Sequence, residues 1–227
     1  MKKIKNVLIV LLSFFVLLII VITIPFMVVQ AKSERINTDY NYLKEDEHYN
    51  NKVEITNIDL LTQQISCGYA VIEMMSTYYG NKVSEATLDL ENNGKVSTSS
   101  VNGFLKQINA SITAKTFIKR TFLNNDDLLK EIYDSLSNAN PVAIEWAAKY
   151  EGDWTLHFSL ITGIDLASNN ITVYNPYGLI ENITIEEFIS RSSFSAYEKI
   201  PLFIQFGFAF GAFTKNTIFY AKEDNNG

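Results

Sequence analysis

A long apolar run near the N-terminus is the feature that most constrains this chain. Residues 7–29 are apolar except for two hydroxyl residues. Such a run predicts a helix that crosses a bilayer. About 20 residues suffice to cross the hydrocarbon core. Lys2, Lys3 and Lys5 precede the run, and positive flanks stay in the cytoplasm, which predicts that the rest of the chain faces outward.

The same run has a second interpretation, a cleaved signal peptide. Signal peptides usually contain an apolar region of about 7–15 residues. The run here is longer, which favours an uncleaved membrane anchor over secretion after cleavage. Both interpretations export the remainder of the chain. The expected location is a bacterial cell membrane, with a single pass and an outward-facing domain, and the alternative is a secreted protein.

The chain divides into five predicted parts. Residues 1–6 form a cytoplasmic tail, 7–30 the anchor or signal peptide, 31–52 a polar stalk, 53–222 one domain, and 223–227 a C-terminal tail. A domain of this length can bury a full hydrophobic core without disulfides.

Charge is distributed unevenly along the chain. After residue 31 there are 25 acidic residues against 16 of the 19 basic ones, a formal charge of −9. This balance argues against nucleic acid as a partner, because nucleic-acid binding needs a basic face. It is compatible with a basic substrate but does not require one. The sequence does not predict an oligomeric state.

Helix-like periodicity dominates the first half of the domain and strand-like segments the second. Helices are predicted for residues 67–79, 84–90, 99–109, 126–136 and 184–190, and strands for 53–61, 112–118, 141–147, 156–164, 170–174 and 216–222. This order predicts an α+β domain in which N-terminal helices pack on an antiparallel sheet. The phenylalanine-rich residues 202–213 are too few to span a membrane. They are expected to be a buried element or, alternatively, to contact the bilayer surface.

Cys67 is the only cysteine, and it lies where a polar loop turns into an apolar helix. A helix N-terminus stabilises a thiolate through its partial positive charge. We therefore interpret Cys67 as a nucleophile. The alternative is a small core residue, which is the commoner role of an isolated buried cysteine.

His157 and Asn175 are the expected partners of the thiol. His157 lies near the start of one strand and Asn175 at the end of the next, so an antiparallel hairpin brings them together. An imidazole can accept the thiol proton and pass it to a leaving amine, while an amide fixes the imidazole tautomer. The other histidine, His48, is expected to be a solvated stalk residue. Two histidines and one cysteine are too few for a zinc site, so no metal and no cofactor are predicted.

The oxyanion of such a reaction needs hydrogen-bond donors. Backbone N–H groups at the start of the cysteine helix are available, and an upstream side-chain amide adds to them. Gln63 and Gln64 are the two candidates for that amide.

These motifs together resemble papain-fold cysteine peptidases. The resemblance rests on the glutamine-containing loop, the Cys-Gly-x-Ala helix that ends in Tyr-Tyr-Gly, the His-x-x-x-Ile-Thr-Gly-x-Asp strand and the Asn-Pro-Tyr-Gly turn. It is strongest for the bacteriocin-processing, double-glycine leader peptidases, the family thirty-nine-like group of clan CA. The resemblance implies a papain-like fold, a peptide or protein substrate, and a triad of Cys67, His157 and Asn175.

Two features depart from that family. Its glutamine usually stands five or six residues before the cysteine, whereas here Gln63 and Gln64 are four and three residues before it. The leader peptidases also act on the cytoplasmic side of a transporter, so their leader substrate is not carried over to an outward-facing chain. The expected function is hydrolysis of a peptide or isopeptide bond. The alternatives are an inactive surface binding or immunity protein and a transamidase that uses the same residues.

Overall fold

The apolar run forms one helix, α1 (Lys2–Ser33), in this computed structural model, which describes residues 2–33, 39–122, 124–193 and 200–222. Within these residues, only α1 contains a segment, Lys5–Ile24, that is long and apolar enough to cross a membrane. Length and composition alone fit a membrane span and a signal sequence equally. Part of the predicted stalk, residues 34–38, and the predicted tail, residues 223–227, lie outside the described residues.

Four helices follow in the first half of the domain, as the periodicity predicts. They are α2 (Cys67–Tyr78), α3 (Glu85–Glu91), α4 (Val101–Ser111) and α5 (Asn125–Ser137). The first three begin at serine N-caps, which satisfy N–H groups that have no partner within the helix. Gly80 ends α2 with a φ of 78°, a left-handed conformation that glycine adopts without steric cost.

The second half of the domain supplies most of an antiparallel sheet. Its strands are β1 (Val53–Glu54), β2 (Phe117–Thr121), β3 (Val142–Tyr150), β4 (Asp153–Asp165), β5 (Asn170–Asn175), β6 (Leu179–Thr184) and β7 (Thr217–Ala221). The strand order is β2-β7-β3-β4-β5-β6, and β1 pairs with β4. Helices α6 (Ile185–Ser192) and α7 (Leu202–Ala209) lie between β6 and β7. The predicted α+β architecture is confirmed.

The two faces of β3 and β4 divide the residues around the site. Trp146 of β3 is the direct cross-strand partner of His157, so both side chains lie on the face that packs against α6. Glu145 is the partner of Phe158, and both lie on the opposite face. There the Phe158 ring stacks on Phe104 of α4, with ring centroids 4.3 Å apart.

Several strand boundaries differ from the predictions. The predicted strand 53–61 is reduced to the two residues of β1, and β2 begins at Phe117 because Ile112 still serves as the C-cap of α4. Strand β6 was not predicted. It is an edge strand with Leu179 and Ile180 exposed, so it lacks the regular burial that produces a clear alternating pattern.

The described part of the predicted stalk packs against the domain. A 3-10 helix spans Asp39–Lys44, and its Tyr40 and Leu43 are completely buried. The Tyr40 hydroxyl donates to Glu186 at 3.2 Å. His48 is exposed, as expected of a solvated residue, although its Nε2 lies 3.4 Å from the Asp134 carboxylate. Residues of the predicted stalk therefore contribute buried side chains, and the packed part of the chain includes residues before the predicted boundary at residue 53.

The phenylalanine-rich segment contains the short helix α7, which contacts α1. Ile204 and Phe208 are buried, whereas Leu202 and Phe203 are exposed by 65% and 73%. The helix is thus half inserted into the domain and half available to an apolar surface such as a bilayer.

Candidate active site

A buried carboxylate shapes the loop that precedes Cys67. Glu85, at the start of α3, accepts hydrogen bonds from the backbone N–H groups of Gln64, Ile65 and Ser66 at 2.9, 2.9 and 3.0 Å. Hydrogen bonds to an ionised acceptor are among the strongest in proteins. Three of them on consecutive residues fix the turn that delivers Cys67 to the first position of α2.

The cysteine loop is also tied to the turn that follows Asn175. Thr62 forms an isolated antiparallel bridge with Tyr177, and the Gln63 N–H donates to the Pro176 carbonyl at 2.8 Å. Gly178 closes this turn with a φ of 82°. A Cβ at Gly178 would lie 2.8 Å from the Thr62 hydroxyl oxygen, so glycine permits both the backbone conformation and the close approach.

The Cys67 thiol is half-buried beside β4. Burial raises its pKa above the ordinary value, and the negative charge of Glu145 acts in the same direction. Hydrogen bonds from the backbone N–H groups of Phe158 and Gly68 partly oppose this rise. The helix start lies so close to Thr98 that a Cβ at Gly68 would be 2.4 Å from the Thr98 hydroxyl oxygen.

His157 and Asn175 meet inside the protein, as the hairpin prediction requires. His157 Nε2 lies 2.7 Å from Asn175 Oδ1, and both residues are buried. Their strands pair with a register shift between Ile161 and Gly163, and Asn175 reaches His157 diagonally rather than from the directly opposite position.

The hydrogen bonds of Asn175 determine the imidazole tautomer. Its Oδ1 accepts the Tyr177 N–H at 3.0 Å, and its Nδ2 donates to Glu181 at 2.5 Å. Both contacts fix the amide with its oxygen toward His157. An amide oxygen can only accept, so Nε2 must carry the hydrogen, and Nδ1 keeps its lone pair for the proton of a nucleophile.

Glu181 is held in turn by Arg191 of α6. The two side chains form an ion pair at 2.5 Å, and the Arg191 Nε donates to the Ala147 carbonyl at 2.8 Å. The guanidinium carbon lies 3.5 Å from the centre of the Trp146 ring. Burial raises the pKa of Glu181, but hydrogen bonds from Arg191 and Asn175 outweigh it and leave the pKa below its ordinary value. Glu181 therefore presents a charged acceptor to Asn175 at neutral pH.

The surroundings of His157 favour its neutral form. Burial lowers the pKa of the imidazole to about 4, against smaller opposing effects of Asn175 and Glu181. The Tyr177 ring stacks on the imidazole, with centroids 4.0 Å apart, and excludes water from that side. Burial therefore acts on the two pKa values in opposite directions: it raises that of the Cys67 thiol and lowers that of the His157 imidazole, which favours the neutral form of each.

The two glutamines occupy different environments. The exposed Gln64 side chain donates to the Thr62 carbonyl at 3.1 Å. Gln63 is half-buried, and its amide oxygen is enclosed without a hydrogen-bond partner among the described residues. Of the two amide oxygens, only that of Gln63 is enclosed without a partner among the described residues.

Sequence reasoning missed the three acidic residues around the site, Glu85, Glu145 and Glu181. Glu145 had a visible signal, because it is the one charged residue in the apolar, buried part of β3, residues 142–148. It is 3% exposed, and its Oε2 is enclosed without a hydrogen-bond partner among the described residues. Burial raises its pKa to about 7.

Glu145→Gln is expected to remove a pH-dependent loss of stability. The raised pKa means that the folded protein binds this proton more tightly than the unfolded chain, so the associated stability is complete below about pH 4.5 and is lost as pH rises through about 7. Between about pH 4.5 and pH 7, the free energy of unfolding of the wild type should fall by up to about 3 kcal/mol more than that of the variant. Urea unfolding in detergent at both pH values measures the difference. An equal pH dependence in the two proteins would contradict it.

The fold packs helices on an antiparallel sheet. A thiol lies at the start of a helix, beside a strand whose imidazole is hydrogen-bonded to an asparagine side chain. This is the arrangement of a cysteine peptidase. Within the described residues, no group of three or more His, Cys, Asp or Glu side chains is placed to hold a metal ion.

Comparison with known families makes the assignment specific. The sequence model of the Peptidase_C39 like family matches residues 55–201, more than half of the chain, and the chain belongs to this family. Membership supports cysteine peptidase activity.

Two solved structures are similar to the chain at low identity. One is a double glycine motif protease from an AMS/PCAT transporter in complex with its leader peptide, with 15% identity, a TM-score of 0.49, and 75% of this chain and 99% of that chain covered. The other is the peptidase domain of Streptococcus ComA, a bifunctional ABC transporter involved in quorum sensing, with 16% identity, a TM-score of 0.46, and 74% and 100% covered. No curated protein sequence matches the chain.

Proposed function

We propose that the protein is a membrane-anchored, outward-facing cysteine peptidase that hydrolyses a peptide or isopeptide bond through Cys67, His157 and Asn175. The observation that carries the proposal is the buried 2.7 Å contact between His157 Nε2 and Asn175 Oδ1. Because Nε2 is bonded to Asn175, Nδ1 of His157 is left as the proton acceptor. The next residue of the same strand, Phe158, donates its N–H to the Cys67 sulfur. The outward orientation rests on the three lysines before α1.

The raised pKa of the thiol and the lowered pKa of the imidazole favour a mechanism in which proton transfer accompanies attack. The Cys67 proton passes to His157 Nδ1 while the sulfur forms a bond to the substrate carbonyl carbon. His157 then gives this proton to the leaving nitrogen, the C–N bond breaks, and a thioester remains. Water, deprotonated by His157, attacks the thioester carbon, the C–S bond breaks to release the acid, and His157 returns the proton to the Cys67 sulfur. Asn175 holds the ring throughout and accepts from Nε2–H, which acquires charge when the imidazolium forms.

Labelling of Cys67 by a peptide-directed electrophile tests this function. The full chain in detergent is incubated with a panel of neutral peptidyl vinyl sulfones, and the adducts are located by mass spectrometry. We expect stoichiometric modification of Cys67 in the wild type and much slower modification in His157→Ala, which retains the thiol but lacks the base. Glu91→Gln, an exposed change on α3, is the control and should label like the wild type. If no vinyl sulfone of the panel modified Cys67 in the wild type, the proposal would be contradicted.

Product analysis separates hydrolysis from transamidation. With a cleaved peptide and an added primary amine, hydrolysis gives the free acid and transamidation gives the amide. The proposal expects the acid as the main product. An amide as the main product would identify a transamidase instead.

Gln63 rather than Gln64 is expected to supply the oxyanion donor. Gln63→Ala should lower kcat by about a hundredfold with little change in KM, as loss of one oxyanion donor does in other hydrolases. Gln64→Ala is the matched control, because its exposed amide donates to the Thr62 carbonyl, and should stay within about twofold. Steady-state kinetics on one peptide decides between them. A larger loss in Gln64→Ala would reverse the assignment.

A further inference from the structure

Helix α7 is apolar on two opposite sides. Its inner side packs on the domain through Ile204 and Phe208, which are buried in a cluster with Ile200 and Ala147. The one polar side chain of the helix also points inward, because the buried Gln205 Nε2 donates to the Ile200 carbonyl at 2.7 Å. Packing on the domain therefore explains the inner side and leaves the outer side to be explained.

The outer side of α7 exposes large apolar side chains. Leu202, Phe203 and Phe210 are exposed by 65%, 73% and 55%, and the Phe206 ring stacks on that of Phe210 with centroids 6.3 Å apart. At 3.6 residues per turn, these four positions fall within an arc of about 100° and form one continuous surface. A helix side that faces water normally carries charged or polar residues. Residues 201–213 contain no charge, so the pattern indicates a second apolar environment.

The neighbour of α7 indicates which environment this is. α7 contacts α1, and the segment of α1 that is apolar enough to cross a membrane, Lys5–Ile24, is not covered by the domain. A bilayer that takes up this segment therefore lies next to α7. The formal charge of −9 after residue 31 gives the domain no attraction to anionic head groups. Apolar contact, rather than charge, would hold α7 at such a surface.

α7 also lies close to the candidate active site. Leu156 packs against the inner cluster of α7 and immediately precedes His157 on β4. Because an α-helix with its side chains is about 10–12 Å across, His157 lies about one helix diameter from the outer side of α7. The surface that the outer side contacts thus decides where the catalytic residues are held.

We propose that α7 is a second membrane contact, in which Leu202, Phe203, Phe206 and Phe210 insert into the bilayer interface beside α1 and hold the active site next to the membrane surface. Interfacial helices typically bury their apolar side about 5–10 Å into the boundary between head groups and acyl chains. The inference goes beyond the peptidase reaction, but it rests on the membrane anchor of the proposed function. The occupant of the outer side is lipid.

Spin labels measure the depth of α7 in a bilayer. Cys67→Ser removes the only cysteine, so one cysteine introduced by Phe203→Cys, Val16→Cys or Leu90→Cys carries the only label. All three positions are exposed. The full chain is reconstituted into phosphatidylcholine vesicles, and electron paramagnetic resonance compares collisions with oxygen, which concentrates in bilayers, and with a water-soluble nickel chelate. The Cys67→Ser background makes the measurement independent of catalysis.

We expect the label of Phe203→Cys to report an interfacial depth. Its ratio of oxygen to chelate collisions should lie severalfold above that of Leu90→Cys, the control on α3, and below that of Val16→Cys in the middle of the apolar run. Phe210→Cys, on the same side of α7, should give a ratio similar to that of Phe203→Cys.

Three other outcomes would overturn the inference. If the label at position 16 lies in lipid while that at 203 meets the chelate as often as that at 90, the anchor stands and the α7 contact is refuted. Exclusion of both reagents at 203, with dipolar broadening between labels, would place a second copy of the chain on this side instead. If the label at position 16 is not in lipid, the anchor and the inference fail together. Labelling of Cys67 by vinyl sulfones in detergent is separate, and its failure would count against the peptidase reaction alone.

Discussion

Cys67→Ala and His157→Ala are each expected to lower kcat/KM by about a thousandfold or more on any peptide that the wild type cleaves. The thiol is the only sulfur nucleophile in the chain. Because burial favours the neutral form of each group, we expect the thiol to gain nucleophilicity only when His157 removes its proton. Under the proposed mechanism, neither residue would function without the other.

The double variant distinguishes this coupling from two independent contributions. Residues that act as one unit are strongly non-additive. Cys67→Ala/His157→Ala should therefore be no slower than the slower single variant, whereas independent effects would multiply to about a millionfold. Steady-state kinetics on one fluorogenic peptide, with urea unfolding to verify folding, provides the measurement. Multiplicative losses would exclude the coupled pair.

The parts of the site that follow local rules were predictable from sequence. Ser66 caps a helix that starts at Cys67 and ends before Gly80, because a polar loop, an apolar run and a glycine occur in that order. The His157 to Asn175 contact follows from hairpin geometry, since the two residues lie in consecutive strands. Such features depend on residues within one element or one turn.

The groups that hold the site in place were not predictable in this way. Glu85 lies about 20 residues after the loop that it fixes, and Arg191 reaches Glu181 from a helix on the far face of the sheet. Their partners are set by packing, which has no periodic signature in the sequence. Tyr40 and Leu43 illustrate the same limit, because a stretch with two buried residues among charged ones resembles a solvated stalk.

Arg191→Leu is expected to destabilise the domain and to impair catalysis together. It removes the cation that pairs with Glu181, and because the Glu181 side chain keeps 19% of its surface exposed, the cost should be near or below the lower end of the range of about 3–5 kcal/mol that is typical of a fully buried pair, hence about 3 kcal/mol. Asn175 then donates to a carboxylate that is no longer held in place, so the orientation of the amide and of His157 loosens. Arg120→Leu is the control, because it breaks the exposed Arg120–Glu131 pair and should cost less than about 1 kcal/mol.

The double variant Arg191→Leu/Glu181→Leu separates the two roles of the ion pair. Replacing both charges with apolar side chains removes the unpaired carboxylate and should recover most of the lost stability. Activity should not recover, because Asn175 Nδ2 has lost its acceptor and the amide can rotate its oxygen away from His157. The signature of this positioning role is a kcat that stays low while KM and the urea midpoint return toward wild-type values. Recovery of kcat together with stability would mean that the pair acts on folding alone, and that the Tyr177 N–H suffices to orient Asn175.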